Sequence, residues 1–482
     1  MAAFFGVLHL LLAVVDAFLF VAYLRLLKRR FGYFISPFNV TLFITAFNVA
    51  ISYHFYSSDK AWWALGVSSA TSMWSYLDQS LLINLGGIAI FLSLLLYLTQ
   101  KDKAGGIDEG KSYSQTFFSK TAEAISPIAV SLTTVFCVLA FIEICLLFNN
   151  GTFPLLNGDR LFFYQSSISP IYLGVSFCLT LLGVYSGFRL VSKRKGLPAF
   201  LACVGCLILS GNRSDVLLSV ILPMILFWTS TPAVKNKLGF GAHRSKVRKK
   251  SPLYIVVAIL IVFIVGLQLS SWRSGVNSSI EESISEMLDG NSFSDLRDGA
   301  FLLQGFDANF DGAYAGGKTY LAAAISFIPS SMSSFREEWA WGRYSANKIA
   351  GFAGEHFGLR GGPYMEGYLN FGPAGVVLLA LVQAYLFYLV DRSYRRYILN
   401  QELRMAPAAP LLIVIVLKAY TVSLNTGDMY NLYVAVLLVL LLEFLSLPDA
   451  IRKSKQKKRG ELRLSGIGIP SRHGSRSAGN DF

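Results

Sequence analysis

Apolar runs of about 20 residues recur from one end of this chain to the other, each long enough to cross a hydrocarbon core of roughly 30 Å. Backbone that crosses lipid finds no water for its N–H and C=O groups, so runs of that length are helices. They fall at residues 4–27, 38–57, 78–99, 127–148, 170–191, 198–210, 215–230, 253–270, 368–390, 407–424 and 431–447. The pattern predicts an all-α polytopic membrane protein of about 11 transmembrane helices. Composition agrees: 54% of the 482 residues are hydrophobic and only 15% charged, far from the balance of a soluble domain. Run 4–27 is too long for a signal-peptide core and no small-residue cleavage site follows it, so it reads as a retained helix.

The net charge of +14 suits either nucleic acid or an anionic membrane surface, and its placement decides for the membrane. Segments 28–36, 101–126, 192–197, 231–252, 391–406 and the tail from 449 hold 30 of the 43 Lys and Arg. That asymmetry is the positive-inside signature: it places those segments in the cytoplasm, the N-terminus on the opposite side and the C-terminus inside. No nucleic-acid partner is implied. Residues 1–448 read as one transmembrane unit that includes a large non-cytoplasmic loop at 271–363, and residues 449–482 as a basic, disordered cytoplasmic tail. Trp62, Trp63, Trp74 and Tyr76 suggest a short segment lying at the interface between the second and third runs.

Runs 198–210 and 215–230 stand apart from the rest. They lie between two basic clusters, so the chain leaves the cytoplasmic side and returns within about 35 residues. The first arm, about 13 residues, reaches only ~20 Å. The turn 210–215 is therefore recessed in the membrane, where irregular backbone is tolerated only against protein or a water-filled cavity. An Arg at that depth, Arg213, is a functional candidate. The other reading is a shallow turn in which Arg213 pairs with Asp215.

In the outer loop, 281–287 reads as a short amphipathic helix and the apolar stretch 321–328 as lying on or dipping into the membrane. The glycine-rich stretch 354–363 suits close approach of backbone to a ligand or, equally, a series of tight turns. The five cysteines all fall within apolar runs. Cys203 and Cys206 form a CxxC without a second pair or a nearby His, so they read as packing residues, and no metal or other cofactor is expected.

No Walker loop and no GxGxxG between a strand and a helix is present, which leaves ATP hydrolysis and dinucleotide binding without support. The remaining chemistry is that of Arg, carboxylate, His and Tyr. Those groups suit an anionic leaving group held by guanidinium forks and a base that activates a hydroxyl. Arg160, Arg213, Arg336, Arg343 and Arg360 are candidate anion ligands, and a lipid-linked diphosphate is the natural anion at a membrane surface. A solvated or ion-paired Arg is the plainer reading of each. His356 stands in the polar outer loop as a candidate base or donor. Glu366, with Tyr368 and Asn370 after it, places carboxylate and amide at i and i+4 on one helix face, where both can address one ligand. Helix capping is the alternative.

Four segments in order, 149–160, 210–213, 328–336 and 367–372, resemble the Wzy-type polymerases of O-antigen, the oligosaccharide repeat unit polymerases. The resemblance implies a fold like the metal-independent GT-C glycosyltransferases, in the bacterial inner membrane. It implies transfer, on the periplasmic face, of a growing glycan from undecaprenyl diphosphate to the sugar of an incoming lipid-linked repeat unit. By the same resemblance Arg213 and the loop arginines hold the diphosphate, Glu366 or His356 acts as base, and a chain-length regulator is a partner. The nearest rival is an O-antigen ligase using the same donor. A flippase or transporter of lipid-linked sugars is another, although no internal repeat of the kind common in transporters is apparent.

Overall fold

The computed structural model describes residues 2–31, 35–51, 66–67, 70–102, 134–142, 169–209, 213–229, 295–310, 313–328, 332–352 and 359–399, with single positions between 417 and 437. Among them all regular structure is helical: α1 (Ala2–Phe31), α2 (Pro37–Ile51), α3 (Trp74–Lys101), α4 (Ser169–Lys193), α5 (Leu197–Leu209), α6 (Arg213–Thr229), α7 (Asp295–Phe310), α8 (Lys318–Ala324), α9 (Ser334–Trp339), α10 (Met365–Phe371) and α11 (Pro373–Leu399). Segments Leu8–Phe31, Thr71–Lys101, Gly174–Val191 and Pro373–Arg392 are long and apolar enough to cross a membrane. The protein is an α-helical membrane protein. The expected span 253–270, the helix 281–287, Trp62 and Trp63, and the tail 449–482 lie outside the described residues, as do nearly all of 407–424 and 431–447.

α1 and α3 run side by side in the same direction. Near their starts His9 Nε2 donates to the Asp78 carbonyl at 3.1 Å. At their ends Arg30 Nη1 donates to the carbonyls of Gln100 at 2.6 Å and Asp102 at 3.0 Å. The sequence offset stays near 70 from one end to the other, as two parallel rods require. α11 shares that direction, because Tyr23 Oη donates to Asp391 Oδ2 at 3.1 Å and Arg392 Nε lies 3.5 Å from Asp102 Oδ1. The basic ends of three membrane-crossing helices thus gather at one end of the bundle. Phe387 of α11 packs edge-on against Tyr23, Phe38 and Phe91, tying α1, α2 and α3 to it.

α4, α5 and α6 form a second group, up, down and up again. The α4–α5 turn is closed by Arg194 at φ 55° and Gly196 at φ 92°. Gly183 and Gly187 let α4 approach closely, since a Cβ at either would meet Ser219 and Pro223 of α6, the small-residue contact common between membrane helices. α5 has 13 residues, a rise of only ~20 Å; residues 210–212 of the turn after it lie outside the described residues.

The third group lies within the stretch expected as an outer loop, and it docks on the N-terminal half of α3, away from the basic end. Ser80 Oγ donates to the Leu296 carbonyl of α7 at 3.1 Å. Asn84 clamps the segment before α10: its Nδ2 donates to the Gly361 carbonyl at 3.0 Å and its Oδ1 accepts from Tyr364 N at 3.3 Å. Gly361 and Gly362 stand at φ 68° and 88°, a region L side chains avoid, and a Cβ on Gly362 would run into the Asn84 amide. The apolar run expected at 368–390 is divided in two. Gly372 at φ 65° turns the chain, Pro373 opens α11 at the position that tolerates a missing N–H, and α10 folds back on α11 with Gly367 against Gly375.

Candidate functional site

At the heart of the docked group lies Glu366, only 4% exposed. Its carboxylate receives three hydrogen bonds from neutral donors: the Thr319 hydroxyl of α8 to Oε1 at 2.8 Å, the Thr426 hydroxyl to the same oxygen, and the Thr426 N–H to Oε2 at 3.3 Å. Asn370, fully buried one turn on, donates Nδ2 to Thr319 Oγ1 at 2.7 Å and to the Glu366 carbonyl at 2.8 Å. Its Oδ1 accepts Gly317 N at 3.0 Å. Glu366 and Asn370 thus both hydrogen-bond to Thr319. The segment before α8 is pinned along α10 by Ala315 N to the Leu369 carbonyl and Gly316 N to the Asn370 carbonyl, both at 3.0 Å.

Burial raises the Glu366 pKa above the ordinary glutamate value, and the threonine hydrogen bonds pull against it. A carboxyl desolvated this way is a stronger proton acceptor than one in water. Tyr320 stacks on Phe371 with ring planes 6° apart. Its buried hydroxyl has no hydrogen-bond partner among the described residues, and burial, then the Glu366 charge, pushes its pKa up. Tyr368 points to the other side of α10, where its hydroxyl accepts from Gln79 Nε2 at 3.0 Å and its ring meets Tyr314 edge-on.

Beside this core α8, α9 and the turns after them carry a cationic shelf. Lys318, next to Thr319, and Lys348 each sit 4.3 Å from the Trp339 ring centroid, a cation–π arrangement on a shared indole. Arg336 Nη1 donates to the Ile328 carbonyl; burial, then the nearby Arg343 charge, lowers its pKa. Arg343 is paired with Glu337 and Lys348 with Glu338. The Ser333 hydroxyl caps α9 by accepting Arg336 N at 3.2 Å, which fixes where that arginine leaves the chain. Flanking the shelf is an apolar rim: Leu321, Phe327 and Met332 are 55%, 66% and 77% exposed.

The structure therefore brings Arg336 and Arg343 together, and separately Glu366 and Asn370. Arg360 is exposed and acts elsewhere, on Asp295: burial raises that carboxyl to about 6, while the Arg360 charge lowers it and Asp298 raises it. Arg213 opens α6 with its side chain outside the described residues, where Arg160 and His356 also lie. Of the cysteines, Cys203 is buried and Cys206 Sγ donates weakly to the Cys137 carbonyl at 3.9 Å. No group of three or more metal-ligating side chains occurs among the described residues. Thr319, Thr426, Tyr320, Lys318, Lys348 and Trp339 join the site without having been singled out in the sequence. The one signal for them was position, a polar Thr426 between two apolar runs and a Lys318 following Gly316 and Gly317. No protein-family model, curated protein or solved structure matches the chain.

Proposed function

We propose that the protein is a metal-independent membrane glycosyltransferase that polymerises polyprenyl-diphosphate-linked oligosaccharides at the periplasmic face of the bacterial inner membrane. The observation that carries this reading is the shelf itself: four cationic side chains, Lys318, Arg336, Arg343 and Lys348, beside exposed Leu321, Phe327 and Met332. An anion held against an apolar surface is the shape of a lipid diphosphate, with phosphates on the cations and the polyprenyl chain along the rim. The shelf belongs to the group docked away from the basic helix ends, in keeping with a site on the outer side. The resemblance of 149–160, 210–213, 328–336 and 367–372 to the repeat unit polymerases points the same way.

In this reading the bond between the anomeric carbon and the diphosphate oxygen breaks, and the diphosphate leaves with the electron pair, its charge met by the shelf and by Arg213. A hydroxyl of the incoming repeat unit forms the new bond to that carbon. Its proton passes to Glu366 through the Thr319 or Thr426 hydroxyl that already donates to the carboxylate, or to His356. In the same reading Arg160 is a further diphosphate ligand and Asn370 lies on the acceptor side with Glu366, whereas Arg360, beside Asp295, and Tyr368, on the other side of α10, stand apart from both. Guanidinium forks preorganised at the leaving group supply transition-state stabilisation without a metal.

Purified protein incubated with lipid-diphosphate-linked repeat units, without metal or nucleotide, is expected to yield a ladder of multimers on a gel. Transfer to a lipid A core acceptor in place of a ladder would identify a ligase. Movement of the lipid across proteoliposomes with no new glycosidic bond would overturn the enzyme reading. Arg213→Ala is expected to remain inserted and folded but to lose transfer.

A further inference from the structure

His9, Asp16, Tyr23 and Arg30 recur at every seventh position of α1. Seven residues are close to two helical turns, so the four drift only about 20° per step and stay on one face. From the first to the last the helix rises about 31 Å, the thickness of a hydrocarbon core. His9, Asp16 and Tyr23 are 1%, 6% and 0% exposed, whereas Leu10, Leu11, Val14 and Phe18 on the other faces are exposed. A polar seam thus faces the bundle along the full length of a helix whose remaining sides are apolar.

Three of the four have partners. His9 donates to the Asp78 carbonyl and holds Nδ1 3.5 Å from the Asp78 carboxylate, Tyr23 donates to Asp391, and Arg30 is seated on backbone carbonyls at the end of α3. Neither Asp16 oxygen has a hydrogen-bond partner among the described residues. Among the described residues the charged groups at the seam are Asp78 of α3, Asp102 just after it, and Asp391 and Arg392 of α11. All stand toward its ends, and none bonds to Asp16. Arg30 Nη1 also reaches the Thr99 carbonyl at 3.5 Å, and the register it sets with His9 on Asp78 puts Leu85 of α3 opposite Asp16, with Leu81 and Ile88 a turn to either side, all buried.

An ionised carboxylate without a partner in such surroundings is far more costly than a neutral acid, and the group escapes the cost by binding a proton. A metal ion would require several oxygen ligands together; a proton requires only the carboxylate. We propose that Asp16 is a proton-binding site in the middle of the membrane, exchanging its proton through the end of the seam occupied by His9 and Asp78. The opposite end is closed by Arg30, a permanent cation. The proposal is independent of the glycosyltransferase reading, since no transfer step uses α1.

Infrared spectroscopy of the reconstituted protein tests it. The parent is expected to show a carboxylic-acid C=O band that Asp16→Asn removes and Asp16→Glu retains at a shifted frequency. The difference spectrum isolates Asp16 from any contribution of Glu366. On transfer to D2O the band moves as the proton exchanges, and His9→Gln is expected to slow that exchange at least tenfold. Identical carboxylic-acid bands in the parent and Asp16→Asn would overturn the site. Exchange unaltered by His9→Gln would overturn the route. Asp16→Asn should fold as the parent does, because it replaces a neutral acid by an amide of nearly equal shape.

Discussion

Thr319 and Glu366 meet at 2.8 Å across 47 residues of sequence, and the hydroxyl that reaches the carboxylate is the same one that accepts Asn370. One threonine therefore relays between a carboxylate and an amide on α10 while holding α8 in place. Glu366→Ala would leave the Thr319 and Thr426 donors unpaired in the interior, each costing about 1–3 kcal/mol, and open a cavity besides. The expected loss is at least about 3 kcal/mol. Glu366→Gln keeps the shape and one acceptor, and the expected loss is about 1 kcal/mol. Denaturant unfolding in detergent, or the shift in thermal midpoint, measures the pair.

The pH dependence of stability follows from the same burial. Glu366 and Asp295 both have folded pKa values above their unfolded ones, Asp295 at about 6 against an ordinary 3.8. The native state therefore binds more protons than the unfolded chain between those values, and stability falls as pH rises. The Asp295 contribution is fully present below about pH 4 and lost as pH rises through about 6; that of Glu366 is lost as pH rises through its raised value. Compared with the parent, Asp295→Asn and Glu366→Gln are each expected to show a flatter fall of the thermal midpoint between pH 4 and 7. A parent that gains no more than the variants on acidification would refute the assignment.

Gly362→Ala tests how the third group docks. Position 362 stands at φ 88°, and a Cβ there would strike the Asn84 amide that clamps the segment to α3. Strain of this kind costs on the order of 1–3 kcal/mol, before any loss of the Asn84 hydrogen bonds. Gly86→Ala, on the same helix α3 with open space around it, is the control. In a helix interior Ala is favoured over Gly by roughly 0.5–1 kcal/mol, so that variant is expected to be neutral or slightly stabilised. Equal melting of the two variants would mean that the glycine is not required by the clamp.

Much of the helical frame can be read in the sequence, because lipid leaves the backbone few choices. α1, α3 and α4 begin and end within a few residues of their apolar runs, and the 13-residue arm α5 is as short as its sequence indicates. What the run at 368–390 conceals is the break at Gly372 and Pro373. The dipeptide is a strong punctuator, but the flanking apolar residues carry the hydropathy across it. The site is legible only where its contacts are local. Glu366 and Asn370 at i and i+4 declare a shared face, whereas Thr319 and Thr426 reach Glu366 from 47 and 60 residues away. Asp16 is masked for the opposite reason, one polar residue in a long apolar run. Its seven-residue spacing from His9 and Tyr23 gains meaning once α3 and α11 are seen to cover that face.

The pairing of Arg343 with Glu337 bears directly on how the shelf would hold an anion. In the free protein part of its positive charge is already answered, by Glu337 on Arg343 and by Glu338 on Lys348. Both pairs are largely exposed, so water and salt screen them, and their loss should leave the fold intact. Glu337→Gln would release the Arg343 guanidinium for bidentate contact with phosphate. The expected result is a lipid diphosphate bound several-fold more tightly in low salt, with the gain shrinking as ionic strength screens the exposed charges. Arg343→Ala should weaken binding, and Arg336→Lys should weaken it as well, because a point charge does not replace a planar fork. Binding of a short-chain polyprenyl diphosphate measured at two salt concentrations separates these cases. Unchanged affinity in Glu337→Gln, Arg343→Ala and Arg336→Lys together would remove the shelf as the diphosphate site.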